Sequence, residues 1–262
     1  MKNASIRELI EIALHAAIKA GIGILDIYYN SDFGLEYKSD NSPLTIADKR
    51  AHQIIAECLT ITNIPVLSEE GKAIAFAERN QWKMFWLVDP LDGTKEFVKR
   101  NDEFTVNIAL IRGNSPIGGV VYVPVTRSVY WADDQGSFKA IVDDKNEVLS
   151  NIQQLPLTIT KENFVVAGSR SHMSPQTEAY IQSIDSKGKS IEMKSKGSSL
   201  KFCMVAEGYA DIYPRLGPTM EWDTAAGHAI VKFAGRNVYQ IENNEPLVYN
   251  KESLLNPWFV VK

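Results

Sequence analysis

The segment WLVDPLDGTKEF, residues 86–97, constrains the fold more than any other stretch of the chain. WLVD has the composition of a strand, and Pro90 cannot donate to a sheet ladder, so regular pairing is expected to stop at Asp89. Asp92, Gly93 and Thr94 then suit a turn into a helix N-terminus. Such a strand–turn–helix aims two carboxylates, Asp89 and Asp92, at one point beyond the strand end. Taken alone the signal has a plainer explanation, because Asp-Pro and Asp-Gly are common turn formers and Asp92 would serve equally well as an N-cap.

The rest of the chain supplies the surroundings. Residues 5–28 carry Ile6, Leu9, Ile10, Ala13, Leu14, Ala17 and Ile18 on one helical stripe, with Ser5 and Glu8 forming a capping box. A second amphipathic helix is expected over 47–59, with Asp48 near its start. From Pro65 the runs IPVLS, MFWLVD, FTVNIALIRG, IGGVVYVPV and SVYWAD read as strands. After the polar stretch DDKNEVLSNIQQ, short strands (FVVAGS, ADIYPRL) alternate with helices near 175–184, 198–207 and 223–234. The pattern predicts a mixed α/β fold in two coupled parts, an N-terminal α+β half (1–150) and a C-terminal α/β half (151–262). With 262 residues the chain can bury a substantial core, and the two cysteines, Cys58 and Cys203, read as buried thiols in a reducing compartment.

Charge narrows the function. A net charge of -4 without a basic cluster argues against polymeric nucleic acid as a partner. Charges at Arg7, Glu8, Glu11 and Lys19 interrupt any signal-peptide core, and no apolar run is long enough to span a bilayer. A cytoplasmic location is expected, with peripheral attachment at the inner membrane left open. Three acidic clusters remain to be explained: Glu69 and Glu70 in LSEEG, Asp89 and Asp92, and Asp223 in EWDTAAGHA. Alternation along a strand turns only one of Glu69 and Glu70 inward, and Asp223 alone reads as a helix cap. Together they suit hard cations, a pair of which, about 3.5 to 4 Å apart, clamps the attacking and leaving oxygens of phosphoryl transfer.

The combination resembles the inositol-monophosphatase-like superfamily, whose signatures D-P-[IL]-D-G-T and W-D-x-[AG]-[AG] stand intact at 89–94 and 222–226. KSDNSPLTIAD (38–48), VLSEEG (66–71), the KEF after Thr94, GSSLK (197–201) and the terminal LLNPWFVV extend the likeness to its bacterial 3'(2'),5'-bisphosphate nucleotidases. The resemblance implies a layered α-β-α-β-α sandwich of the sugar-phosphatase type. It also implies two magnesium ions with room for a third: Glu69, Asp89 and the Leu91 carbonyl on the first, and Asp89, Asp92 and Asp223 on the second. Thr94, with Glu69 or Asp48, would position and deprotonate the attacking water, so Asp48, Glu69 and Thr94 are the implied catalytic set.

By the same resemblance the phosphate would meet Glu69, Leu91, Asp92, Gly93, Thr94 and Asp223. The nucleotide would meet His172, Ser198, Lys201 and Arg215. The plainer alternative makes Ser198 a helix cap and Lys201 and Arg215 solvated charges. The implied reaction is hydrolysis of the 3'-phosphate of adenosine 3',5'-bisphosphate to AMP and phosphate. The sulfated precursor is a further implied substrate, in sulfur assimilation, and lithium an inhibitor. Two other readings stay open, a phosphatase of inositol or other sugar phosphates and a non-catalytic nucleotide-sensing module. Oligomeric state is undetermined.

Overall fold

A computed structural model of the chain describes residues 4–29, 36–37, 43–143, 145, 148–168 and 174–262. Helix α1 (Ile6–Tyr28) starts as expected. Ser5 Oγ accepts from Glu8 N, and Glu8 Oε2 accepts from Ser5 N at 2.7 Å, which satisfies two otherwise orphaned donors. Thr45 and Asp48 repeat the device at the start of α2 (Ile46–Leu59). Between the two helices in sequence, β1 (Glu36–Tyr37) pairs antiparallel with β2 (Pro43–Leu44). Leu9, Ile10, Ala13, Ala17 and Ala20 on α1, with Ala51, Ile55 and Leu59 on α2, recur at helical spacing and share one apolar cluster.

The two helices cover one face of a seven-stranded sheet whose strands lie in chain order. These are β3 (Val66–Ser68), β4 (Met84–Asp92), β5 (Thr105–Arg112), β6 (Ser115–Val123), β7 (Ser128–Asp133), β8 (Gly136–Val142) and β9 (Leu149–Leu155). β3 and β4 are parallel and each later pair is antiparallel. Trp86, Val88, Ile108, Leu110, Val120 and Tyr122 belong to the cluster under α1 and α2, whereas Phe85, Leu87, Ala109, Ile111, Val121 and Val123 belong to the opposite one. Both faces are therefore dry. That is why these strands read as unbroken apolar runs although most pairs are antiparallel.

The opposite face carries α6 (Leu200–Glu207) and α7 (Glu221–Phe233). α7 comes close because small residues meet there: a Cβ added at Gly119 would lie 3.0 Å from the Ala229 Cβ. Beyond these helices β10 (Phe164–Gly168) pairs in parallel with β11 (Ile191–Ser195). β12 (Tyr213–Arg215), β14 (Phe259–Val261) and β13 (Val238–Gln240) form an antiparallel sheet in that order, bridged to β10 through Val166 and Ile212. α5 (Pro175–Gln182) closes the stack, with Tyr180 and Ile181 packed against Val166, Ile212 and Val260. Two short helices, α3 (Phe76–Arg79) and α4 (Thr94–Val98), flank β4 in sequence. The layer order is α-β-α-β-α, as expected.

Three details differ from the sequence reading. β4 does not stop at Asp89 but runs on through Pro90 to Asp92. β9 occupies a stretch that reads as a polar break, and at the sheet edge it exposes most of its side chains, so no apolar pattern marks it; β8, just before that stretch, is a further strand the sequence reading did not assign. Cys203 is buried, but Cys58 is only partly so; both are free thiols.

Candidate active site

The functional corner of the molecule is made by a bulge at the end of β4. Asp89 pairs with Asn107 and Asp92 with Thr105, so three steps on β4 match two on β5. In a regular strand, residues three apart point to opposite faces; the extra residue returns Asp89 and Asp92 to the same side. Pro90 is tolerated because the bulged residue owes the ladder no donor. Gly93 then takes φ 92°, in the left-handed region, and turns the chain into α4.

Carboxylate oxygens of Glu69, Asp89 and Asp223 lie within 4.8 Å of one another. Glu69 directly follows β3, and Asp223 sits in the first turn of α7, where its Oδ2 accepts from Met220 N at 2.8 Å. Asp223 is thus both a cap and a cluster member. Asp92 stands beside this group, its Oδ2 3.4 Å from Thr105 Oγ1 and from Asn107 Nδ2. Burial, then repulsion from Glu69, Asp92, Asp223 and Asp48, raises the Asp89 carboxyl well above the usual range. Burial and then Asp92 push Asp223 up to about 8. Burial also raises Asp92, against the pull of Lys201, Asn107 and Ser199. Crowded oxygen donors that repel one another, with Asp89 buried and the others partly so, fit a hard divalent cation, which would relieve both costs.

Asp48 and Thr94 meet beside the cluster. Asp48 Oδ2 accepts from Thr45 N at 2.8 Å and Thr45 Oγ1 at 2.6 Å, while Oδ1 accepts from Thr94 Oγ1 at 3.1 Å. Burial raises the Asp48 carboxyl and its hydrogen bonds with Thr45 partly offset this. Leu91 N donates to Asp89 Oδ1 at 3.1 Å, and the Leu91 carbonyl lies 3.4 Å from Thr94 Oγ1. Glu70 is not simply turned away, since its charge acts on both Asp48 and His52.

Asp92 and Asp223 open into a cleft of about 130 Å³ lined also by Gly93, Glu96, Ser198, Lys201 and Arg215, among others. The same cleft is also lined by cations. Lys201 is buried, with Nζ donating to the carbonyls of Ser198 at 2.6 Å and Lys196 at 3.2 Å; burial brings its ammonium down to about 8 while Asp92 opposes that shift. Lys201 is therefore no solvated surface charge. Arg215 donates to the Pro218 carbonyl through one terminal nitrogen, and its Nε is buried without an acceptor among the described residues. Ser198 does not cap α6, whose N-cap is Ser199. It holds φ 45°, and its Oγ lies 2.8 Å from the Asp92 carbonyl and 2.7 Å from that of Glu103. His172 lies outside the described residues.

Sequence reasoning passed over several residues that build this corner. Asn107 donates to Ser199 Oγ at 3.0 Å, and Ser199 Oγ donates to the Asp223 carbonyl at 3.1 Å, tying β5, α6 and α7 together behind the carboxylates. An asparagine inside the apolar run TVNIAL was the available signal. Glu103, just before β5, accepts from Gly197 N at 2.8 Å and fastens the 196–198 turn to the N-terminal sheet.

A layered α/β fold with carboxylates gathered around a strand bulge is the scaffold of a metal-dependent phosphatase. The chain belongs to the inositol monophosphatase family, whose model matches residues 5–258. It is 44% identical over 257 residues to a Salmonella typhimurium protein named 3'(2'),5'-bisphosphate nucleotidase CysQ, covering 97% of this chain and 99% of that one. The protein of the same name from Escherichia coli K12 is 44% identical over 249 residues, 94% of this chain and 96% of its own. A crystal structure of CysQ from Bacteroides thetaiotaomicron, a bacterial member of the family, superposes with a TM-score of 0.87 at 51% identity and 96% coverage of each chain. The family is metal-dependent, and the Glu69–Asp89–Asp223 cluster fits such a site. Among the described residues no helix is long and apolar enough to cross a membrane.

Proposed function

We propose that this chain is a magnesium-dependent 3'(2'),5'-bisphosphate nucleotidase that removes the 3'-phosphate of adenosine 3',5'-bisphosphate, giving AMP and inorganic phosphate. The observation that carries the reading is a single cleft lined both by Asp92 and Asp223 of the carboxylate group and by the buried Lys201 and by Arg215, whose Nε has no acceptor among the described residues. The carboxylates suit the scissile phosphate on its metal ions, and Lys201 and Arg215 suit a second anion on the same small molecule. Full-length likeness to relatives named as bisphosphate nucleotidases supports it.

Glu69, Asp89, Asp223, Asp92 and the Leu91 carbonyl are the residues that would hold magnesium. When bound, magnesium supplies charge neutralisation on the phosphate and acidification of the attacking water. The chain supplies the rest. Thr94 Oγ1 accepts a proton from that water while passing its own toward Asp48 Oδ1, its hydrogen-bond partner. The Thr45 contacts hold Asp48 in place for this transfer. Gly93, whose backbone no side chain shields, lets the phosphate approach the turn. Lys201 and Arg215 bind the second phosphate, and the bonds from Lys201 Nζ keep the Ser198 turn in register with it.

The test is a set of parallel phosphate-release assays on adenosine 3',5'-bisphosphate, its sulfated precursor and inositol monophosphate, with and without magnesium. The expected outcome is magnesium-dependent turnover with kcat/KM highest for the bisphosphonucleotides. Faster turnover of inositol monophosphate would refute the nucleotide reading, and absence of turnover on all three would refute catalysis.

A further inference from the structure

We infer that Glu96 is a specificity-determining residue that accepts a hydrogen bond from the free ribose hydroxyl beside the scissile phosphate. The inference deepens the nucleotidase reading above and rests on it. Glu96 lines the same cleft as Asp92, Ser198, Lys201 and Arg215. It lies four residues beyond Asp92, on α4, and its charge is felt by both Asp92 and Lys201, which line the same cleft. Two glycines make room for it. A Cβ at Gly197 would lie 3.1 Å from Glu96 Cγ, and one at Gly93 would lie 3.4 Å from Glu96 Oε2.

Among the described residues the Glu96 carboxylate has no hydrogen-bond or ion-pair partner, although Lys201 is close enough to sense it. Lys201 Nζ instead donates to the carbonyls of Ser198 and Lys196. An ionised carboxylate is an acceptor only: it repels phosphate oxygens and favours a neutral O–H. Between the two phosphates of a nucleoside 3',5'-bisphosphate lies the ribose, whose one unesterified hydroxyl neighbours the phosphate to be removed. The adenine amino group, the other candidate donor, projects away from both phosphates. A carboxylate lining the cleft that holds both phosphates therefore reads the sugar. It also disfavours a ligand that would place a third anion there.

The experiment compares kcat/KM for adenosine 3',5'-bisphosphate and its 2'-deoxy analogue in the wild type, Glu96→Gln and Glu96→Ala. A hydrogen bond to a charged acceptor sets the wild-type preference for the ribose substrate at about ten- to a hundredfold. The preference is expected to shrink in Glu96→Gln and to approach one in Glu96→Ala, chiefly through loss of activity on the ribose substrate. Gln keeps the shape of the side chain, so the test survives if the Ala variant folds poorly. Variants that lose activity equally on both substrates and keep the wild-type ratio would assign Glu96 a structural role and overturn the inference alone. If the wild type turned over neither bisphosphate, the nucleotidase reading would fall, and the inference with it.

Discussion

Asp48 divides its two carboxylate oxygens between fold and site, one closing the capping box of α2 and the other receiving Thr94. Asp223 does the same at the start of α7. In both cases the bland explanation of the residue, a helix cap, and the chemical one are satisfied by the same side chain. Asp89 has no capping duty and is the most buried member of the three-carboxylate group. Its charge is costly when no cation balances it, because burial and several carboxylates all act against ionisation. Asp89→Asn removes that charge while keeping the shape. Without magnesium the variant is expected to unfold at a higher temperature than the wild type. Magnesium is expected to raise the melting temperature of the wild type but not of the variant, and hydrolysis is expected to fall by about a hundredfold or more. Retained magnesium-dependent turnover would remove Asp89 from the mechanism.

At the scale of the element, the turn from β4 into α4 holds the site together. The bulge that aligns Asp89 with Asp92 is followed at once by Gly93 in the left-handed region, and a Cβ there would come 2.2 Å from Ser198 Oγ. Gly93→Ala therefore carries two penalties, a backbone conformation costing about 1–2 kcal/mol for an L-residue and a collision with the turn that leads to Lys201. Urea unfolding is expected to show a loss of at least about 1 kcal/mol, and kcat/KM to fall as Ser198 is displaced. A variant as stable and active as the wild type would mean that the two turns are not coupled. Much of this element was legible in the sequence: DPLDGT announces a strand end, two converging carboxylates and a glycine turn. Less legible was how they converge. The bulge depends on the register with Thr105 and Asn107, which only the paired strand supplies. Glu96 was passed over for a similar reason, since its place in the cleft depends on Gly197, far away in sequence. β9 escaped notice because an edge strand buries little and needs no apolar pattern.

Across the whole molecule two apolar clusters sandwich the large sheet, and polar groups enclosed behind the site must be matched within the fold. His228, on α7, is one of these. Its Nδ1 lies 3.0 Å from Tyr249 Oη and its Nε2 2.7 Å from Asn237 Oδ1. Burial, with a smaller push from Lys232, brings its pKa from the ordinary 6.5 to about 4. Below 6.5 the unfolded chain gains a proton that the folded chain refuses, so this residue's contribution is a loss of stability as pH falls, complete near 4 and absent above about 7. The clustered carboxylates act in the opposite sense, since raised values in the folded state favour it as pH drops. Overall acid sensitivity is therefore not diagnostic, but a difference between two proteins sharing those carboxylates is, because their contribution is common to both. Between pH 7.5 and 5, in chelator, the wild type is expected to lose about 2 kcal/mol more unfolding free energy than His228→Gln, taking 1.36 kcal/mol per pKa unit. The variant is less stable at either pH for want of its hydrogen bonds, so the slope is the quantity to compare. Parallel slopes would show that His228 takes up a proton within the folded state, and that its enclosure between Tyr249 and Asn237 opens more readily than the packing implies.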